Sequence, residues 1–275
     1  MNRWIIGART PTLPASLVPV VVGTGVAANY GEFVLSRAVT ALVVALGLQL
    51  GINYINDYQD GIRGTDTNRV GPTRLVGSGL ATPKAVLVAS SIAFGIAGVA
   101  GLILAWMVTW WLIPVGLACI LVALTYTGGP WPYGYHGFAE VFVFVFFGLV
   151  ATCGTAFVQM DRLSWLAFLV AVPVGMSITA ILIANNLRDL TLDAKAGKVT
   201  LAVRIGEKHT KNLYATLMVG ACLWSAVLAV SKVELLFSIL ALPMAVLCVK
   251  KLNLINTLRF TVLLGLILTL TLWIR

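Results

Sequence analysis

Nine apolar stretches of about 15 to 22 residues recur along the 275-residue chain: Leu13–Ala28, Ala38–Tyr54, Ala85–Leu104, Val108–Tyr126, Val141–Phe157, Trp165–Ala184, Leu213–Val230, Leu235–Val249 and Phe260–Ile274. Each is close to the roughly 20 residues an α-helix needs to cross a bilayer. In hydrocarbon the backbone must satisfy its own polar groups, which leaves helices or closed barrels. Charged residues make up 11% of the chain, against about 25% in a soluble domain, and the mean hydropathy is +0.96. These runs predict an all-α membrane protein of about nine transmembrane helices, one domain spanning residues 1–275, with a polar cap on one side. Arg3 and Arg9 ahead of an apolar run ending at Ala27 and Ala28 resemble a secretory leader. Pro11, Pro14 and Pro19 interrupt that run, so a retained first helix is expected.

Charge orients the bundle. If the N-terminus is cytoplasmic and nine spans alternate, only Arg37, Arg162, Lys232 and Arg275 of the 19 basic residues fall outside. This positive-inside bias predicts a multi-pass protein of the cell (plasma) membrane whose polar clusters face the cytoplasm. It also accounts for a net charge of +9 without any nucleic-acid partner. The four cysteines, Cys119, Cys153, Cys222 and Cys248, have no CxxC pairing and read as small packing residues.

Two polar clusters lie where apolar stretches run out. The first holds Asn53, Asn56, Asp57, Asp60, Arg63, Asp66 and Arg69; the second holds Arg188, Asp189 and Asp193. Acids at the edge of a hydrocarbon layer are costly and mark function, so the two clusters are expected to form one site. Asn53, Asp57 and Asp60 stand at i, i+4 and i+7, Asn56 and Asp60 one turn apart, and Asp189 and Asp193 repeat the i, i+4 spacing. Oxygen donors without His or Cys select a hard cation, and Mg²⁺ takes one or two carboxylates together with water and substrate phosphates. Asn53, Asn56, Asp57, Asp60, Asp66, Asp189 and Asp193 are the candidate ligands, suited to two or three Mg²⁺ around a diphosphate. Arg63, Arg69, Arg188, Lys195 and Lys198 supply cations for phosphate oxygens. A polar loop follows each cluster, Asp60 to Lys84 and Arg188 to Lys211, and a third, Thr127 to Phe138, is rich in Gly, Pro and Tyr. By membrane-interface preference alone Tyr126, Tyr133 and Tyr135 are belt residues.

The run Asn56-Asp57-Tyr58-Gln59-Asp60, then Gly64-Thr65-Asp66, resembles the first motif of the UbiA superfamily of intramembrane prenyltransferases, and Asp189-xxx-Asp193 resembles its second. Longer blocks at Arg9–Pro14, Asp60–Asp66, Arg74–Leu80, Thr127–Tyr135, Asn185–Asp189 and Ala196–Arg204 are similar to bacterial 1,4-dihydroxy-2-naphthoate polyprenyltransferases. The resemblance implies Mg²⁺-dependent transfer of a polyprenyl group from polyprenyl diphosphate to dihydroxynaphthoate, with loss of diphosphate and CO₂, beside the lipid bilayer. It assigns Asp57, Asp60, Asp189 and Asp193 to catalysis, Arg63, Arg69, Arg188 and Lys198 to diphosphate, and Arg74, Tyr126 and Tyr133 to the acceptor. In the wider superfamily the last acid of the first motif follows the middle one by four residues, whereas Asp60 and Asp66 are six apart. Three other readings compete. A UbiA-type enzyme for another aromatic acceptor shares the acids. A CDP-alcohol phosphotransferase fails at Gly64 and Thr65 of its signature. A cation-coupled transporter would place its acids nearer mid-span.

Overall fold

Thr82, Ser164, Thr200 and Asn253 each accept a hydrogen bond from a backbone N–H three residues ahead, and so mark where four helices begin. The structure is a computed structural model and describes residues 2–65 and 71–274. Its helices are α1 (Arg3–Ala8), α2 (Pro14–Asn29), α3 (Leu35–Arg63), α4 (Pro83–Met107), α5 (Leu112–Thr125), α6 (Ala139–Met160), α7 (Trp165–Lys195), α8 (Leu201–Val230), α9 (Val233–Lys250) and α10 (Leu254–Trp273). Seven of these are long and apolar enough to cross a membrane. α1 and α2, bent by 50°, bring the number to eight when counted together as one span, and α5 is a shorter apolar helix of 14 residues. The expected all-α, multi-pass architecture is therefore present among the described residues, with seven or eight spans and one shorter apolar helix against the about nine expected. α5 begins later than the apolar stretch and holds Pro114 in its first turn, where the missing N–H breaks no intrahelical bond.

Helix ends differ from the apolar boundaries at the two clusters. α3 runs to Arg63 and α7 to Lys195, so Asn53, Asn56, Asp57, Asp60 and Arg63 of the first cluster, and the whole of the second, ride on helix rather than opening the loops. α8 starts at Leu201, twelve residues ahead of its apolar stretch, and is kinked at Gly206 (φ 79°). In each case local hydrogen bonding carries the helix past the point where hydrophobicity stops.

Small residues let the helices approach closely, as membrane bundles require. A Cβ on Gly148 would lie 2.5 Å from Gly175 Cα, so α6 and α7 touch backbone to backbone there. Around that contact Phe144–Val150 is π-wound. At the bundle's far end Arg37 on α3 donates to Met107 O, Val158 O and Asp161, clamping the ends of α4 and α6. Lys232, before α9, reaches Asn29 and Ile274 O at the ends of α2 and α10. The near end gathers α3, α7 and the loops 71–82, 126–138 and 196–200. The positive-inside bias predicts a cytoplasmic near end; on that expectation a cysteine replacing exposed Lys208 should react with an impermeant thiol reagent only in inside-out vesicles, and one replacing exposed Ser36 only in right-side-out vesicles.

Candidate active site

α3 and α7 run in the same direction, and each carries a polar stripe toward the near end. On α3 the stripe is Gln49, Asn53, Asn56 and Asp60, at steps of four, three and four residues, a spacing that keeps all four on one helix face. On α7 it is Asn185, Asn186, Asp189 and Asp193. Both stripes line one cavity of about 860 Å³. Its polar end also holds Arg9, Arg74, Arg188, Lys198 and Tyr126. Deeper along the same helices the lining becomes Ala45, Leu48 and Ile52 on α3 and Ile178, Ile181 and Leu182 on α7. An aromatic wall joins the two halves: Tyr126 meets Tyr133 edge-on (5.4 Å), Tyr133 stacks on Phe142 (4.1 Å), and Phe142 on Phe146 (6.2 Å). Asn53, Asn56 and Asp60 of the first cluster thus meet Arg188, Asp189 and Asp193 of the second.

Asp60 is buried and accepts a hydrogen bond from the Tyr135 hydroxyl at 2.8 Å, which leaves its second oxygen for a ligand. Burial first, and then the Asp60 carboxylate beside it, push the Tyr135 phenol above its usual range, so it remains the donor. The Lys198 ammonium lies 5.3 Å from the Tyr135 ring and 3.9 Å from Asp193. Arg188 grips Asp189 through both carboxylate oxygens at 2.8 Å each. Asn56 accepts from Thr127 in the tyrosine-rich loop.

Three expected ligands are placed differently. Asp57 is fully buried and absent from the cavity wall; its two oxygens accept the backbone N–H groups of Leu75 (2.8 Å) and Val76 (3.0 Å). At about 100° per residue it sits about 70° round the helix from the middle of the 49-53-56-60 stripe, on the face where Gly61 lets Val76 approach. Asn53 lines the cavity but its amide is committed, donating to Ala8 O and accepting from Gln49. Arg63 also lies off the cavity wall. It donates to Thr127 O and Gly129 O and faces the Tyr135 ring at 5.4 Å, so it fastens the loop rather than reaching a phosphate. Asp66 and Arg69 fall outside the described residues.

Arg9, Gln49, Asn185, Asn186 and Tyr135 are site residues that spacing did not single out. Gln49 and the two Asn were legible as one-turn extensions of the acidic stripes. Arg9 was not: it takes a left-handed backbone (φ 50°) between α1 and α2, a conformation uncommon for a non-glycine residue, and donates to Asn53 O.

The donor set at the polar end is oxygen only: Asn56, Asp60, Asp189 and Asp193. Among the described residues no three of His, Cys, Asp and Glu are grouped to hold an ion alone. That combination fits Mg²⁺ completed by substrate phosphate, which needs only one or two carboxylates per ion.

The model of the UbiA prenyltransferase family matches residues 16–272. The chain belongs to that family. It is an enzyme, a prenyltransferase. A 1,4-dihydroxy-2-naphthoate octaprenyltransferase of Mycobacterium leprae (strain TN) is 49% identical over 243 residues, covering 88% of this chain and 83% of that protein. The protein of the same description from Escherichia coli (strain K12) is 34% identical over 258 residues, covering 91% and 83%. Among solved structures, a UbiA homolog from Archaeoglobus fulgidus bound to GPP and Mg²⁺ aligns with a TM-score of 0.73 over 99% of this chain and 98% of that one. At 12% identity that likeness speaks for the shared fold.

Proposed function

We propose that the protein transfers a polyprenyl group from polyprenyl diphosphate to 1,4-dihydroxy-2-naphthoate, with loss of diphosphate and CO₂, giving demethylmenaquinol or its oxidised quinone in menaquinone biosynthesis. The observation that carries this reading is the single cavity, charged at one end and apolar at the other. A charged head and a greasy tail on one donor match that polarity, and burying the tail gains roughly 0.8 kcal/mol per CH₂. The 49% identical relative named for the same reaction supports the acceptor.

Asn56, Asp60, Asp189 and Asp193 would hold Mg²⁺, which supplies neutralising charge to the departing diphosphate. Arg188 and Lys198 stand beside those acids and add charge-assisted hydrogen bonds to phosphate oxygens. Tyr135 fixes one oxygen of Asp60, so the other keeps its direction. As the allylic C–O bond breaks, its electron pair leaves with the diphosphate oxygen. The Tyr126–Tyr133–Phe142 wall presents π-faces to the electron-poor carbon and shields it from water. The new C–C bond forms at the ring carbon bearing the carboxylate. Loss of CO₂ returns that bond pair to the ring, so no proton has to leave.

Arg74, buried on the cavity wall, is assigned to the acceptor carboxylate. An Arg–carboxylate contact is a two-pronged fork that Lys does not reproduce. Arg74→Lys should raise KM for dihydroxynaphthoate about tenfold with little change for the donor, and Lys198→Ala should do the converse. An effect of Arg74→Lys on the donor alone would refute the assignment. The reaction itself is tested by incubating purified protein with Mg²⁺, polyprenyl diphosphate and a panel of aromatic acids, with mass spectrometry of the lipid product. A product from 4-hydroxybenzoate and none from dihydroxynaphthoate would overturn the reading.

In this reading the protein sits in the plasma membrane with the polar end of the cavity toward the cytoplasm, where both substrates' charged groups are available.

A further inference from the structure

Gln49 is an anomaly among the helix side chains. It is 6% exposed, lies on the cavity wall one turn deeper than Asn53, and its Oε1 has no hydrogen-bond partner. A buried amide oxygen left unpaired is destabilising, so such groups nearly always have a partner.

The direction in which that oxygen points is set by the backbone. Ala8 O can only accept, so it takes the NH₂ end of the Asn53 amide, at 2.9 Å. Asn53 must then turn its Oδ1 toward Gln49, which donates Nε2 to it at 3.3 Å. The last amide in the chain is left with its oxygen outward. One backbone carbonyl on α1 thus orients two side chains and presents a pure acceptor at the cavity.

The position limits what can answer it. Gln49 is eleven residues from Asp60, about 16 Å along the helix axis, beyond reach of a metal-bound diphosphate. A polyprenyl tail carries no hydrogen-bond donor. The acceptor carries two hydroxyls.

We infer that Gln49 Oε1 accepts a hydrogen bond from a ring hydroxyl of the acceptor, and that the Ala8–Asn53–Gln49 chain is a specificity device for a hydroxylated aromatic. The inference rests on the dihydroxynaphthoate reading and adds the group that recognises the hydroxyl. A site built to pair a hydroxyl discriminates strongly against analogues that lack it, because its own buried acceptor is then stranded. The same bond draws electron density toward the ring and orients the carbon to be attacked.

The test uses the full chain in detergent with Mg²⁺ and polyprenyl diphosphate. Inhibition constants of 1-hydroxy-2-naphthoate, 4-hydroxy-2-naphthoate and 2-naphthoate are measured against dihydroxynaphthoate. In the unaltered protein, removal of the hydroxyl that meets Gln49 should weaken inhibition fivefold or more. In Gln49→Met, an apolar side chain of similar shape, that difference should disappear while KM for the donor stays within twofold. Gln49→Glu restores an outward carbonyl oxygen only when its carboxyl is protonated and its O–H replaces Nε2 as the donor to Asn53 Oδ1, so in that variant the discrimination should return at low pH and fade as pH rises, which a merely structural role for residue 49 would not produce. Full discrimination in Gln49→Met, or equal inhibition by all three analogues in the unaltered protein, would overturn the inference while leaving the reaction intact. Failure of the unaltered protein to prenylate dihydroxynaphthoate would overturn both.

Discussion

Asp60→Asn and Asp189→Asn are each expected to lower turnover by about a hundredfold, the loss typical when one group stabilising a developing anion is removed. Both side chains line the polar end of the cavity. Asn at position 60 is isosteric and its amide oxygen still accepts from Tyr135, so the near end keeps its geometry while losing a negative charge that would hold Mg²⁺. At position 189 the amide oxygen can take only one of the two Arg188 bonds. The measurement is single-turnover rate against Mg²⁺ concentration, with thermal unfolding in detergent as the control. The Mg²⁺ concentration for half-maximal rate should rise in both variants, and chelation with EDTA should abolish turnover in the unaltered protein. Rates within threefold of normal for both would exclude these acids from the reaction.

Asp57→Asn should behave in a different way. The Asp57 carboxylate accepts two backbone N–H groups, one of them from Leu75, which is fully buried. Asparagine can accept one of them and turns an NH₂ toward the other, leaving a buried donor unpaired against a donor. Hydrogen bonds to charged groups contribute about 1.5–3 kcal/mol each, so a stability loss of about 2–3 kcal/mol is expected, with a lowered thermal midpoint. Turnover should fall as the loop carrying Arg74 loosens, but the Mg²⁺ dependence of the folded fraction should stay unchanged. A shifted Mg²⁺ requirement at normal stability would return Asp57 to the metal. The contrast between the residue 57 and 60 variants separates holding the loop from holding the ion.

Much of this was legible in the residues. The nine apolar stretches foreshadowed the order of the helices, seven of which are long and apolar enough to cross a membrane, because hydrocarbon imposes length and composition on every span. The meeting of Asp60 with Asp189 and Asp193 followed from their common placement at the ends of two helices that run the same way. Asp57 was not legible. Its i, i+4 relation to Asn53 is as good as that of any cavity residue, and its true partners, Leu75 and Val76, lie eighteen and nineteen residues away on a loop whose path hydropathy does not encode. Arg63 was misplaced for a similar reason: its chemistry suits phosphate, but the carbonyls of Thr127 and Gly129 reach it first. Tyr135, read as an interface residue, proved to hold Asp60, Thr65, Arg63 and Lys198 together. Helix endings were the least legible, since capping and side-chain pairing extended α3, α7 and α8 beyond their apolar cores.

The Arg37 and Lys232 clamps tie the far helix ends by hydrogen bonds to backbone carbonyls, while at the near end Asp57 and Arg63 tie the loops to α3 through backbone groups of their own. If the near end is cytoplasmic, as the positive-inside bias predicts, a newly made lipid begins with its ring at the inner leaflet. A reductant or oxidant working at the outer face would then act only after the quinone ring had crossed the bilayer.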